Sequence, residues 1–216
     1  MGQRKRFLIT GTGAAVGKTT VGCALGFAMR ARGMRVGVMK PIETGCAEID
    51  GKLAPRDADA LALAVGSNLP IESMSPCRYR SMLAPAEDEP DLAHIARCFE
   101  EISAQNDVVL VESAGTIVSP TTRDTDFADL AAMLGLEVIV VAGNRSGCAD
   151  AMTLALQRCR SRGLKVAGYI LCDCDRADSS ATDANEESLT RLFGGYRLGR
   201  MRHREPLART IVEKLI

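Results

Sequence analysis

The 216-residue sequence carries no excess of charge of either sign: 27 lysines and arginines stand against 27 aspartates and glutamates. A chain-wide positive field of the kind that holds nucleic acid or an anionic membrane is therefore missing, and any specificity for anions must be local. Long apolar runs are missing as well. Met1 to Arg6 is a charged stretch, and the apolar residues after it are cut by Gly11 and Gly13, so neither a signal peptide nor a spanning helix is predicted. A cytoplasmic protein with no membrane partner is expected. Histidine is scarce: His94 falls in a predicted helix and His203 near the C-terminus, neither with the neighbours a catalytic triad needs, so both are expected at the surface or in packing. The eight cysteines are scattered through predicted helices, strands and loops, without the dense framework of a small secreted domain, which predicts reduced thiols. Cys172 and Cys174, interleaved with Asp173 and Asp175, lack the second pair or nearby histidine that a closed metal site requires. No internal repeat or low-complexity tract is present.

What the sequence does contain is alternation. Short β-branched runs at Phe7 to Thr10, Arg35 to Lys40, Asp107 to Glu112, Glu137 to Ala142 and Lys165 to Leu171 read as buried strands. Between them lie helical patterns, roughly Lys18 to Ala31, Asp57 to Val65, Asp91 to Ala104, Phe127 to Leu134 and Cys148 to Arg162. This order predicts an α/β fold, a mostly parallel sheet with helices on both faces, forming a single domain over residues 1–216. Ligands of such sheets bind beyond the carboxyl ends of the strands. The proline-bearing stretch from Asn68 to Pro90 and the polar one from Asp173 to Asn185 are predicted as surface loops.

After the first strand comes GTGAAVGKTT, Gly11 to Thr20, leading directly into a helical pattern. That context is what a phosphate-binding loop requires, which makes the predicted sheet one of the P-loop NTPase type. Backbone N–H groups of Ala15, Val16, Gly17, Lys18, Thr19 and Thr20 converge on phosphate, Lys18 reaches the β- and γ-phosphates, and the Thr19 hydroxyl is offered to Mg²⁺. The spacing is unusual: Gly11 precedes Gly17 by six residues where five are usual, and Thr12 fills the standard glycine slot.

A loop of this form resembles that of the dethiobiotin synthetases. The second strand ends in KPIETGC, Lys40 to Cys46, which is similar to the K-P-x-x-[ST]-G element of that family. The resemblance continues through DADALALA (Asp57 to Ala64), VESAG (Val111 to Gly115), FADLAAMLGLEVIVV (Phe127 to Val141) and the loop from Asn144 to Cys148. It implies an ATP- and Mg²⁺-dependent cyclo-ligase that joins the two amines of 7,8-diaminopelargonic acid through CO2 into a cyclic urea, by way of a carbamate and a carbamic-phosphoric anhydride. It further implies Lys18 and Lys40 as catalytic cations, Thr44 as a substrate contact, and Thr19, Asp59 and Glu112 as metal ligands, with Asp57 open as an alternative to Asp59. Glu112, Ser113, Ala114 and Gly115 are then expected beside the nucleotide, and Cys172 and Asp173 beside its base. Ser146, Gly147 and Asp150 are expected to meet the substrate carboxylate across the interface of a homodimer.

Several positions depart from the family pattern. Gly13, Ala14 and Ala15 replace polar residues of the loop, and Cys172 replaces an amide at the base, which leaves the preferred nucleoside triphosphate open. Gly199 to Arg202 reads Gly-Arg-Met-Arg, with Arg200 or Arg202 as a possible contact to base or phosphate or a surface residue. Asp150 stands where an asparagine is usual, and its charge opposes a carboxylate unless it caps or pairs. The competing readings are a related P-loop ATPase or ligase acting on another substrate, and a nucleotide-binding regulatory relative without ligase activity. Cobyrinate-type ligases normally add a glutaminase domain, for which the chain has no room. Partitioning-type ATPases carry an extra lysine at the beginning of the loop, where this chain has Gly11, Thr12 and Gly13.

Overall fold

The computed structural model describes residues 4–82, 89–173, 179–203, 205, 207 and 209–216. In chain order the elements are β1 (Lys5–Gly11), α1 (Lys18–Arg30), β2 (Val36–Met39), β3 (Ile42–Glu43), β4 (Ala47–Ile49), β5 (Lys52–Ala54), α2 (Arg56–Val65), α3 (Ile71–Met74), β6 (Cys77–Arg78), α4 (Leu92–Gln105), β7 (Val108–Thr116), α5 (Phe127–Met133), β8 (Glu137–Gly143), α6 (Cys148–Ser161), β9 (Val166–Cys172), α7 (Ser179–Phe193), a 3₁₀ turn (Gly194–Tyr196), β10 (Arg197–Met201) and α8 (Arg209–Glu213).

Six of these strands form one sheet in the order β10-β9-β8-β1-β7-β2, and every neighbouring pair is parallel. The strands read as continuous apolar runs because both faces are covered. Phe7, Leu8 and Ile9 of β1, Val108 to Val111 of β7 and Val138 to Val141 of β8 are all buried. From β1 the chain passes to β2 at one edge, returns to β7, and only then crosses to β8 on the other side of β1. The connections thus diverge around β1, and the crevice beyond its carboxyl end is where an open α/β sheet takes its ligand. The five strands and five helices predicted from the sequence fall within a few residues of β1, β2, β7, β8 and β9 and of α1, α2, α4, α5 and α6.

Two predicted loops carry structure. Within the Asn68 to Pro90 stretch, Pro70 precedes the single turn α3, and β6 pairs in parallel with β3. These elements are too short to show a period, yet the segment laces the end of β2: the Lys40 N–H donates to the Met74 carbonyl at 2.8 Å and the Cys77 N–H to the Pro41 carbonyl at 3.2 Å. Of the second loop, Asp173 to Asn185, the part from Ser179 onward is the first half of α7. The apolar anchor of that helix comes late, at Leu189, which is fully buried, so its polar first half hides the helical period. Strand β10 also went unpredicted, since Arg197, Gly199 and Arg200 interrupt its apolar residues. Among the described residues no helix is long and apolar enough to cross a membrane, and Cys23, Cys46, Cys98, Cys148 and Cys159 are free thiols. Cys174 and Asp175 lie outside the described residues.

Candidate active site

The loop between β1 and α1 is fastened at both ends. Thr12 donates its N–H to the Val141 carbonyl at 3.0 Å, and its hydroxyl accepts from the Gly143 N–H at 3.1 Å, so the loop rests on the end of β8. Val16 is fully buried, and Gly17 takes the left-handed conformation (φ 89°) that turns the chain into α1. Helix α1 therefore begins at Lys18 without a side-chain cap, its first N–H groups left open to an anion. In this state the Lys18 ammonium donates to the Gly13 carbonyl at 3.2 Å. Burial, and next the neighbouring charge of Lys40, lower its pKa.

Just past the end of β2 and alongside the middle of β7 lies a compact ionic cluster. Lys40, 3 % exposed, donates to Glu112 Oε1 at 2.6 Å, to Asp57 Oδ2 at 2.8 Å and to the Ser113 carbonyl at 3.2 Å. Glu112 Oε1 also accepts from the Thr19 hydroxyl at 2.9 Å, whereas its Oε2 is buried without a hydrogen-bond partner. Burial alone would lower the pKa of Lys40. The Glu112 and Asp57 carboxylates outweigh it and raise the ammonium above its ordinary value. Burial likewise acts to raise Asp57, but Lys40 outweighs it and the carboxyl ends below its ordinary value. One ammonium thus serves two acids.

Asp57, not Asp59, faces this cluster. The backbone N–H groups of Asp57 and Ala58 donate to the two carboxylate oxygens of Glu43 at 2.8 and 3.1 Å, which caps a helix whose N-cap residue is Pro55. That contact fixes the rotation of α2. Two residues later the helix has turned about 200°, so Asp59 points to solvent. Glu43 is buried, which pushes its carboxyl up. Sequence reasoning passed over it, although it sits inside the KPIETGC element.

One cavity of about 660 Å³ joins loop and cluster. Of the expected residues it is lined by Ala15, Val16, Gly17, Lys18, Thr19, Thr20, Lys40, Thr44, Glu112, Ala114, Gly115, Cys172 and Asp173, and Ala14, Glu43, Asp57, Met82, Met201, Arg202 and His203 complete it. Ser113 does not face it. Its hydroxyl is turned inward to Thr10 Oγ1 at 3.1 Å, and only its carbonyl reaches the cluster. Ser146, Gly147 and Asp150 are exposed and stand outside the lining. Asp173 at the far rim accepts from Asn144 Nδ2 at 2.6 Å and from Arg200 Nε at 3.0 Å. Arg200 is thereby spent on an internal pair, with Asp183 and Glu186 as further partners, and Arg202 is the arginine that reaches the cavity.

The chain is similar to known proteins over nearly its whole length. A family model described as an AAA domain matches residues 5–210. The chain is 36 % identical over 206 residues to an ATP-dependent dethiobiotin synthetase of Anaeromyxobacter dehalogenans (strain 2CP-C), covering 93 % of this chain and 86 % of the relative. It is also 36 % identical over 209 residues to the enzyme of the same name from Aromatoleum aromaticum, covering 94 % and 92 %. In fold it is similar to the cell division protein FtsY of Thermotoga maritima (TM-score 0.58, 13 % identity, 98 % of this chain and 68 % of that one). The signal recognition particle 54 kDa protein of Aeropyrum pernix, solved with GDP, gives a TM-score of 0.56 at 17 % identity over 99 % of this chain and 46 % of that one. The last two share the P-loop architecture alone. At 36 % identity over 93–94 % of its length, the chain belongs to the ATP-dependent dethiobiotin synthetase family.

Proposed function

We propose that the protein closes the cyclic urea of dethiobiotin from 7,8-diaminopelargonic acid and CO2 at the expense of ATP. The observation that carries this reading is that Lys40 stands between Glu112 and Asp57 in the same cavity as Lys18 and the open N-terminus of α1. The triphosphate would lie along the loop, its β- and γ-phosphates against the backbone N–H groups and Lys18. One substrate amine, as its carbamate, attacks the γ-phosphorus through oxygen, and the bond to ADP breaks. The second amine then attacks the carbamoyl carbon, phosphate leaves with the C–O electrons, and the protons of the amines are released to solvent.

Charge builds on oxygen at each stage, so the protein's contribution is positional and electrostatic. Lys18 holds the phosphoryl group. Lys40, fixed through its backbone to α3 and through its ammonium to the two acids, presents positive charge at the junction of carbamate and phosphoryl. Thr44, four residues on along the same cavity wall, would contact the diamine.

The site suits a magnesium ion. Thr19, Asp57 and Glu112 supply hard oxygen donors next to the phosphate loop, and the unpartnered Glu112 Oε2 is a buried acceptor in need of a cation. When bound, the ion would neutralise charge on the phosphate oxygens. Ser146, Gly147 and Asp150, exposed at the start of α6, fit a homodimer in which this segment serves the partner's cavity.

The test is incubation of the protein with Mg-ATP, bicarbonate and the diamine, reading dethiobiotin by mass spectrometry together with phosphate release. Product that requires every component is expected. ATP turnover that ignores the diamine would refute the proposed substrate.

A further inference from the structure

Between its fastenings at Thr12 and Val16 the phosphate loop is a chain of three residues, Gly13, Ala14 and Ala15, none of which has a side chain able to hold it. Ala15 is nevertheless at φ 51°, a left-handed conformation unfavourable for any residue with a Cβ. Lys18 holds the Gly13 carbonyl from the helix side, and a second hold comes from outside the loop. The guanidinium of Arg145, 131 residues away in sequence, donates to the Ala14 carbonyl at 2.5 Å. It lies so close that a Cβ on Gly13 would be 3.3 Å from its Nη2. Arg145 itself springs from the end of β8, its N–H bonded to the Gly143 carbonyl at 2.9 Å, beside the point where Thr12 is fastened.

The direction of this bond has a chemical consequence. In a trans peptide the C=O and the following N–H point opposite ways. Ala14 and Ala15 line the cavity, while Arg145 stands outside its lining. A carbonyl of Ala14 drawn outward to Arg145 therefore sends the Ala15 N–H inward, toward the place the phosphates would take. We infer that Arg145 is a positioning residue for the nucleotide, holding the Ala14–Ala15 peptide in the orientation that donates to phosphate.

This inference rests on the nucleotide reading of the site, and its test separates the two. ATP and ADP affinities of the full chain would be measured by titration calorimetry for the wild type, Arg145→Ala and Arg145→Lys, with urea unfolding of each and the KM for ATP and kcat of ligation. A loop donor lost by disorder weakens ADP and ATP alike. Arg145→Ala is expected to lose roughly tenfold in both affinities, as for one charge-assisted hydrogen bond. Its KM for ATP should rise while kcat at saturation stays within about twofold and the urea midpoint, set by an exposed residue, does not move. Arg145→Lys keeps the charge and loses the planar fork, and should fall between, which also serves if the alanine variant does not fold. Unchanged affinities would overturn the inference, as would a loss confined to ATP, which would put the guanidinium on the γ-phosphate instead. A drop in the urea midpoint that accounts for the weaker binding would overturn it too. A wild-type chain that binds neither nucleotide refutes the nucleotide reading itself.

Discussion

Replacing Lys40 by methionine isolates the ionic cluster from every other feature of the site, because methionine matches the length and most of the volume of lysine and leaves no cavity. What it removes is the cation. Glu112 is 1 % exposed and would keep the Thr19 hydroxyl alone, while Asp57, 42 % exposed, would turn to water. Truncating one partner of a buried ion pair costs about 3–5 kcal/mol. The low end applies here, since Asp57 is half hydrated and the Glu112 carboxyl can take up a proton. About 3 kcal/mol in a chain of this size lowers the melting temperature by roughly 6–12 °C. The double variant Lys40→Met/Glu112→Gln exchanges the charged pair for a neutral one and should recover most of that loss. Urea unfolding of the four proteins in the cycle, with a common m-value as the check on two-state behaviour, gives the coupling directly. If Lys40→Met alone melts with the wild type, or if the added Glu112→Gln brings no recovery, the account of Lys40 as the counter-charge of a buried carboxylate is wrong.

Three further outcomes follow from the same geometry. Asp57→Asn should weaken Mg²⁺-dependent ATP binding by at least tenfold, since even partners one shell outside a metal cost that much; Asp59→Asn should leave it unchanged, and calorimetry with and without Mg²⁺ decides between them. Burial raises the Cys23 and Cys159 thiols from 9.0 to about 11. Because the folded chain holds these protons more tightly than the unfolded one, their contribution to stability is complete below pH 9 and is lost as the pH rises toward 11. Slow alkylation of both at pH 8 and a fall in melting temperature between pH 9 and 11, smaller in Cys159→Ala than in the wild type, would bear this out. At Gly26 an added Cβ would lie 2.6 Å from Val65 Cγ1, where α1 crosses α2. Gly26→Ala gains about 1 kcal/mol of helix propensity but overpacks the crossing by about 1–3 kcal/mol. A net loss near 1 kcal/mol is expected in urea unfolding, relieved by trimming Val65 to alanine.

The sheet was legible because its strands are buried on both faces and therefore write themselves as apolar runs, and the phosphate loop because glycine and lysine at fixed spacing have few other uses. Lys18, Thr19, Lys40 and Glu112 line one cavity: the first two open α1, Lys40 directly follows β2, and Glu112 lies midway along β7. Legibility failed where geometry depends on a contact distant in sequence. Choosing Asp57 over Asp59 needs the rotation of α2, which is set by Glu43 accepting from its first N–H groups, and no local pattern encodes that. Strand β10 and helix α7 were hidden for a different reason: their apolar residues are few and spaced between charges that pair with one another, Arg200 with Asp173, Asp183 and Glu186.

The same distinction changes the meaning of the substitutions in the loop. Set against the family pattern that the loop resembles, Ala14 and Ala15 read as losses, methyl groups standing where that pattern has polar side chains. In three dimensions, the polar groups of the backbone still require partners wherever water is displaced, and the partner at Ala14 arrives from the end of β8. Asp173 at the far rim is treated alike: Asn144, the immediate neighbour of Arg145, donates to it from the same turn. The single turn Asn144–Arg145 thus bonds the loop before α1 through Arg145 and the opposite rim of the cavity through Asn144. Disturbing that turn should accordingly shift nucleotide affinity as a whole, phosphates and base together, where a change at Lys18 would be felt through the phosphates alone.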